Sequence, residues 1–326
     1  MTAEPATRVL RADPAAIEAA ACCLAAGGLV AFPTETVYGL GAAAGNGAAI
    51  ARLYTAKGRP RFNPLIAHVA DVIAARRCGR FDSAAEQLAA AFWPGPLTLV
   101  LSKQADCGVA HLALAGLDSV AVRVPAHPVA LALLAAFKEP VVAPSANRSG
   151  HVSPTSAVHV LADLRGRIEL VLDGGNCPIG VESTVVACVG APRLLRPGGL
   201  PRDEIERVIG RALDIAPTAD EKPLAPGMLP SHYAPKARLR LNASEAEPGE
   251  ALLAFGAAPA SDALTLNLSP RGDLIEAATN LFSHLRALDA SGAKTVAVMR
   301  VPRKGLGEAI NDRLARAAAP RQGRAE

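Results

Sequence analysis

Short apolar runs bounded by glycine, proline or acidic residues recur along the chain and alternate with segments of helical period. Gly28–Phe32, Leu65–Val69, Leu97–Leu101, Ser119–Val124, Val141–Ala143, Ile168–Leu172 and Ser183–Val189 have strand length and are apolar enough to be buried. Asp13-Pro14 supplies an N-cap with proline at the first helical position, which predicts a helix to about Ala26. Further helices are predicted over Ala48–Ala56, from Asp82 or Ser83 to the stop at Trp93-Pro94-Gly95-Pro96, and from His127-Pro128 to Phe137. Two more begin at Ser153-Pro154-Thr155 and run from Arg202 to about Leu213. Gly39, Gly41, Gly45 and Gly47 predict a turn after the first of these strands.

Ala216–Pro235 breaks the pattern with five prolines and no apolar period, as a linker would. Beyond it, Ala237–Leu241, Ala251–Phe255, Ala263–Leu268 and Lys294–Met299 predict strands. Leu274, Ile275, Ala278, Leu281, Phe282, Leu285 and Leu288 recur at helical spacing, and Leu306–Ala318 is amphipathic. The expectation is an α/β chain in three parts: a domain over 1–213, a linker over 214–235 and a small α/β domain over 236–326.

Composition narrows the class. Hydrophobic residues make up 50% and charged residues 20%, which suits a soluble globular protein. A net charge of +4 is compatible with an anionic ligand without being a nucleic-acid footprint. Six cysteines form no C-x-x-C pair, so no metal site and a reduced, cytoplasmic setting are expected. Met1–Pro5 opens no leader-like pattern, and no 18-residue apolar stretch suggests a membrane.

Candidate chemistry gathers after strands. Thr34, Glu35, Thr36 and Tyr38 follow the run ending at Phe32, and Val141–Ala143 leads into a second polar loop, Pro144–Gly150. Ligands of open α/β sheets bind at such carboxyl ends. Lys57, Arg59, Arg123, Arg148 and Arg196 lie near strand ends, glycines or prolines, accompanied by Thr34, Ser145, Asn147, Ser149, Ser153, Ser183 and Thr184. Guanidinium groups grip planar oxyanions with two hydrogen bonds, so this mix suits phosphates and a carboxylate. His68, inside an apolar strand, fits a core histidine as well as a ligand. Glu35 and Glu182 could each be a base or a metal ligand, and the sequence fixes no distance between them. The chain has no G-x-x-x-x-G-K-[ST], G-x-G-x-x-G or G-x-S-x-G motif, which disfavours the corresponding nucleotide-binding and hydrolase classes.

Seven segments occur in an order that resembles the YrdC family of threonylcarbamoyl-adenylate synthases: Pro33–Leu40, Lys57–Pro60 with Asn63–Leu65, Trp93–Thr98, Arg123–Pro125, Pro144–Asn147 with Ser149-Gly150, Glu182–Val185 and Arg196–Gly198. Pro226–Met228, His232–Pro235 and the extra domain resemble its longer, two-domain form. The resemblance implies a twisted mixed sheet flanked by helices, plus a small Rossmann-like α/β domain. It also implies the conversion of ATP, L-threonine and bicarbonate to threonylcarbamoyl-AMP and pyrophosphate, for N6-threonylcarbamoyladenosine in tRNA. By this resemblance Thr34, His68, Arg123, Ala143 and Ser183 line the threonine site. Lys57, Arg59, Asn63, Ser119, Ser145, Asn147, Ser153, Arg196 and Tyr233 hold ATP, with Lys57 and Arg59 as the catalytic pair. Mg2+ accompanies the nucleotide, no organic cofactor is tightly bound, and downstream threonylcarbamoyl-transferase proteins take the product; direct tRNA contact stays open. Two departures stand out: Leu229-Pro230-Ser231 replaces the usual aromatic and basic residues before His232, and Ala187 stands where Asp is common. The alternative is a double-stranded RNA-binding or ribosome-associated module, which would favour a broad basic stripe. The first 213 residues carry 20 Lys+Arg against 17 Asp+Glu, a balance better suited to a small anionic ligand. A carbamoyl-transfer domain of the hydrogenase-maturation type would bring zinc-finger-like cysteines, which the sequence lacks.

Overall fold

The computed structural model describes residues 6–215 and 233–319 and contains two sheets. The first is mixed and 12-stranded. Its strands lie in the order Arg8–Arg11, Leu170–Asp173, Val30–Phe32, Gly39–Ala43, Val141–Val142, Ile66–His68, Ser119–Arg123, Leu97–Lys103, Thr184–Ala187, Arg193–Arg196, Asp214–Ile215, with Gly79–Arg80 pairing Leu97–Lys103 off this path. The second is four-stranded and wholly parallel, in the order Arg238–Ala243, Thr295–Met299, Ala251–Ala254, Thr265–Asn267. The expectations over 216–232, including His232 and Leu229-Pro230-Ser231, lie outside the described residues.

Side-chain alternation gives the first sheet two different faces. Ala67, Leu97, Leu99, Leu101, Val120, Val122 and Val186 point into the large core, where Ile50 and Leu53, Leu88, Val160 and Ile205 arrive from the covering helices. Toward the Arg8–Arg11 edge, helices Pro14–Ala25 and Pro128–Phe137 cover the sheet through Ala20, Leu24, Leu133 and Leu134. The opposite positions of the central strands form a small separate cluster, Ile66, Val100, Ala121, Val185, Ala187 and Leu195. That face also carries His68, Thr98 and Arg123, each two strand positions from one of its apolar members, Ile66, Val100 and Ala121.

The expected turn after Phe32 is instead a strand, Gly39–Ala43, antiparallel to Val30–Phe32. Its glycines are there for space: a Cβ on Gly41 would stand 2.9 Å from the Phe32 ring and 2.9 Å from Val141. Helix Ala157–Leu164 starts later than expected because Ser156, rather than Ser153, caps it by accepting from the His159 N–H. Helix Arg202–Ile209 ends early at Gly210, whose left-handed φ of 67° stops it, and Asp214–Ile215 then adds an edge strand. Helix Val72–Cys78, the short His111–Leu114 turn and strand Arg8–Arg11 carry no strong periodicity and are additions to the expected order.

The second sheet packs against loops of the first. Val37, Val152, Val181 and Tyr233 share one apolar cluster with Leu281, Phe282, Ile310 and Leu314. Gly180, at a φ of +82°, lets the backbone approach helix Leu274–Ala290 so closely that a Cβ would meet the Ala278 carbonyl at 2.3 Å. Thr279 donates to the Pro178 carbonyl at 2.7 Å, Arg286 pairs with Asp163 at 2.7 Å, and Arg202 pairs with Glu308.

Candidate active site

Registration of the central strands decides which polar side chains meet. Ile66–His68 and Ser119–Arg123 run parallel with His68 opposite Arg123, so both reach the carboxyl end of their strands together. Leu97–Lys103 runs antiparallel to the latter and parallel to Thr184–Ala187, which brings Thr98 and Ser183 to the same edge. Their hydroxyls lie 2.8 Å apart. The loops Pro33–Tyr38 and Pro144–Asn147 close over this edge, stitched by Leu40 N–H to Pro144 O at 2.7 Å and Ala146 N–H to Tyr38 O at 2.8 Å. Together with the strand ends they line a cleft at this edge.

The cleft has two cationic walls. On one, Arg123 is buried, with Nη2 donating to Thr36 Oγ1 at 3.0 Å, Nε donating to Gly95 O at 3.3 Å, and Glu35 paired at 2.7 Å. Glu35 also accepts from the Ala126 N–H at 3.0 Å. Thr34 donates to Val37 O at 2.6 Å and meets the Thr36 hydroxyl at 2.8 Å, so its side chain shapes the turn that carries both threonines. His68 stands beside them with Nδ1 3.2 Å from Ile66 O. Burial, reinforced by the Arg123 charge, lowers its pKa to about 3, so the ring is neutral at physiological pH.

On the other wall, Arg196 donates to Ser183 O through Nε and Nη2, at 3.2 and 2.8 Å, and to Ser183 Oγ at 3.2 Å. Arg59 donates to Pro64 O at 3.1 Å; burial lowers its pKa to about 10, which still leaves it charged. Glu182 accepts from Ser153 Oγ at 2.5 Å and from Arg313 Nε at 2.8 Å. Burial opposes its charge, but Arg313 and Arg196 outweigh that and hold the carboxyl down at about 2. Tyr233 closes this side, fully buried, at a left-handed φ of 63° and stacked on Phe282 at 5.6 Å. A non-glycine residue held in that conformation is strained, a cost found chiefly at functional sites.

Of the residues expected at the site, Thr34, Arg59, His68, Arg123, Ala143, Ser145, Ser183, Arg196 and Tyr233 line the cleft. Lys57 stands behind it. Its ammonium donates to the carbonyls of Ser145 and Asn147, clamping the loop that faces the cleft, while burial and the nearby Arg59 press its pKa well below the ordinary value. Asn147 donates to the carbonyls of Arg148 and His151, both at 2.8 Å, and so orders the same loop. Ser153 reaches the cleft through Glu182. Ser119 is placed elsewhere: it pairs with Ser102 at the other end of the strand from Arg123, about 13 Å away at the usual rise per residue. The side chains of Arg59, Asn63 and Asn147 each keep one buried polar atom without a hydrogen-bond partner among the described residues. Such atoms cost roughly 1–3 kcal/mol each until a partner arrives. Thr36 and Glu35, candidates in the sequence without an assigned ligand, serve Arg123 as hydrogen-bond and ion-pair partners, and Arg313 is a contributor that the sequence did not single out. Thr36 had a local signal in the Thr-x-Thr spacing, whereas Arg313 lies 131 residues from Glu182.

Fold and cleft together define the class: an α/β enzyme whose cleft is lined by arginines on two walls, Arg123 on one and Arg59 and Arg196 on the other. The chain belongs to the threonylcarbamoyl-AMP synthase family. The Sua5/YciO/YrdC family model, described as "Telomere recombination", matches residues 22–198, and the model of the threonylcarbamoyl-AMP synthase C-terminal domain matches residues 200–319. The chain is 44% identical to the threonylcarbamoyl-AMP synthase of Pyrococcus abyssi, covering 92% of this chain and 93% of that one. Identity to the Bacillus subtilis enzyme of the same name is 42%, over 95% and 94% of the two chains. The crystal structure of P. abyssi Sua5 complexed with L-threonine superposes with a TM-score of 0.88 at 42% identity, covering 96% of both chains. With synthase relatives along nearly the whole chain, the RNA-binding alternative is set aside.

Proposed function

We propose that this chain condenses ATP, L-threonine and bicarbonate into threonylcarbamoyl-AMP, releasing pyrophosphate, as the supply step for N6-threonylcarbamoyladenosine in tRNA. The observation that carries this reading is the pairing of two oxyanion grips in one cleft, Arg123 with Thr36 on one wall and Arg59 with Arg196 on the other. Arg123 takes the threonine carboxylate. Neutral His68, Thr34 and Ala143 shape the pocket for the side chain and amine, and Ser183 lies between the two ligands. Arg59, Ser145, Arg196 and Tyr233 face the nucleotide. Lys57, Asn147 and Ser153 hold the walls that receive it.

The threonine amine adds to bicarbonate carbon with loss of water, giving a carbamate. A carbamate oxygen then bonds to the α-phosphorus as the bond from that phosphorus to the pyrophosphate oxygen breaks. Little covalent work falls to the protein, so orientation and cationic stabilisation of the phosphates carry the rate. The carboxylates in and behind the cleft are already committed, Glu182 to Arg313 and Ser153 and Glu35 to Arg123. Among the described residues no group of three His, Cys, Asp or Glu side chains is gathered for a metal. In this reading Mg2+ accompanies the nucleotide as part of the substrate, on phosphate and water oxygens.

The division into a catalytic domain over 1–213, a closing segment over 214–235 and a small domain over 236–326 belongs to the same proposal, as do a cytoplasmic location and hand-over to a threonylcarbamoyl-transferase. No helix among the described residues is long and apolar enough to cross a membrane. The test is pyrophosphate release by the purified chain with ATP. Release that requires both threonine and bicarbonate is expected, and ATP turnover indifferent to threonine would contradict the reading.

A further inference from the structure

The second sheet's last helix, Gly307–Ala318, sends one side chain into the wall of the cleft. Arg313 has no exposed surface. Its Nε donates to Glu182 Oε2 at 2.8 Å, Nη2 donates to Pro197 O at 2.9 Å, and Nη1 donates to the Asp312 carboxylate. The guanidinium carbon also lies 5.2 Å from the centre of the Tyr233 ring, which stacks on Phe282. Glu182 and Tyr233 both line the cleft, and Pro197 follows Arg196, which lines it too. One planar fork thus touches three separate pieces of the nucleotide wall, each from a different part of the chain.

We propose that Arg313 is a positioning residue for the nucleotide: it sets Glu182, the Arg196-Pro197 turn and the Tyr233 ring in the geometry that receives ATP. The inference rests on the nucleotide reading above and adds that the small domain completes the site. Four partners at fixed angles need the guanidinium plane, which a lysine ammonium does not supply. Through Glu182 the same contact orients Ser153, whose hydroxyl donates to the other carboxylate oxygen. A buried ion pair kept only for stability behaves differently, because removing both of its charges together is often neutral. Loss of position is not repaired that way.

The experiment uses the full chain and three variants, Arg313→Lys, Arg313→Met and the double variant Arg313→Met with Glu182→Gln. ATP binding is read by calorimetry, the KM of each substrate by pyrophosphate release, and folding by the thermal midpoint. The expected result is an ATP Kd and KM raised about ten- to hundredfold in every folded variant, since a displacement near 1 Å in a site can cost two decades. The threonine KM changes far less than the ATP KM, because the contacts of Arg313 with Glu182, Pro197, Asp312 and Tyr233 lie away from the Arg123 wall. The double variant regains the thermal midpoint lost in Arg313→Met but not the ATP affinity. Should Arg313→Met fail to fold, the lysine and double variants carry the test. A folded variant that binds ATP like the wild type, raises both KM values alike, or regains ATP affinity together with stability overturns the proposal. A wild-type chain that does not bind ATP overturns instead the nucleotide reading on which it rests.

Discussion

Arg123→Lys tests the threonine wall with the smallest change of charge. In the wild type, Nε and Nη2 are spent on Gly95, Thr36 and Glu35, which leaves Nη1 for a ligand carboxylate. Lysine keeps a cation opposite Glu35 but cannot hold these partners and grip two carboxylate oxygens at once. A lost hydrogen bond to a charged group costs about 1.5–3 kcal/mol, or roughly one to two decades in kcat/KM for threonine. Stability should fall by only about 1 kcal/mol, the net value of one hydrogen bond. Arg123→Met would instead strand Glu35 as a buried unpaired charge, at about 3–5 kcal/mol, and so confuse folding with binding. The assay is initial-rate pyrophosphate release with each substrate varied in turn, beside thermal midpoints. A folded Arg123→Lys with an unchanged threonine KM, or with ATP and threonine KM raised alike, would refute the division of the cleft.

Three further outcomes follow from the same geometry. Because the Glu182 carboxyl sits at about 2 instead of 4.5, the native state binds fewer protons than the unfolded chain between those values. That stability, about 3 kcal/mol at 1.36 kcal/mol per unit, is complete above pH 4.5 and lost as the pH falls toward 2, and Glu182→Gln should flatten this part of a midpoint-versus-pH profile. His68, with a pKa of about 3, should give the nuclear magnetic resonance shifts of a neutral imidazole at pH 5; a charged ring there would contradict its burial. Tyr233→Ala removes a buried ring that stacks on Phe282 and lies under Arg313, and should cost about 3–5 kcal/mol of stability as large-to-small core changes do. In the folded fraction it should weaken ATP more than threonine, and equal losses on isothermal titration would argue against its place on the nucleotide wall.

Much of this was legible because it is periodic or local. The apolar runs Leu97–Leu101 and Ser119–Val124 read as core strands, and caps such as Asp13, Asp82 and the His127-Pro128 pair marked helices that the structure contains. Arg123, Ser145 and Arg196 could be found because polar residues at strand ends are costly unless used. Register was not legible. Ser119 and Arg123 share a strand, and only the pairing with Ser102 and His68 shows which end meets the cleft. Gly39 and Gly41 looked like turn residues because a glycine chosen for close packing and one chosen for a bend are the same letter. Arg313 sits in the run Asn311-Asp312-Arg313-Leu314, which as sequence is the polar face of an amphipathic helix. Its burial depends on the second sheet docking against Glu182 and Tyr233, a tertiary event without a local signature. Lys57 was expected to reach the nucleotide, and the structure gives its ammonium to the Ser145 and Asn147 carbonyls.

The central claim is that one cleft joins a carbamate made from threonine and bicarbonate to the adenylate of ATP. The direct measurement is mass spectrometry of the product formed from 13C-bicarbonate, threonine and ATP. The account predicts a threonylcarbamoyl-AMP ion one mass unit heavier than from unlabelled bicarbonate, in step with pyrophosphate and absent without threonine. An unlabelled adenylate, or threonyl-AMP formed without bicarbonate, would contradict it.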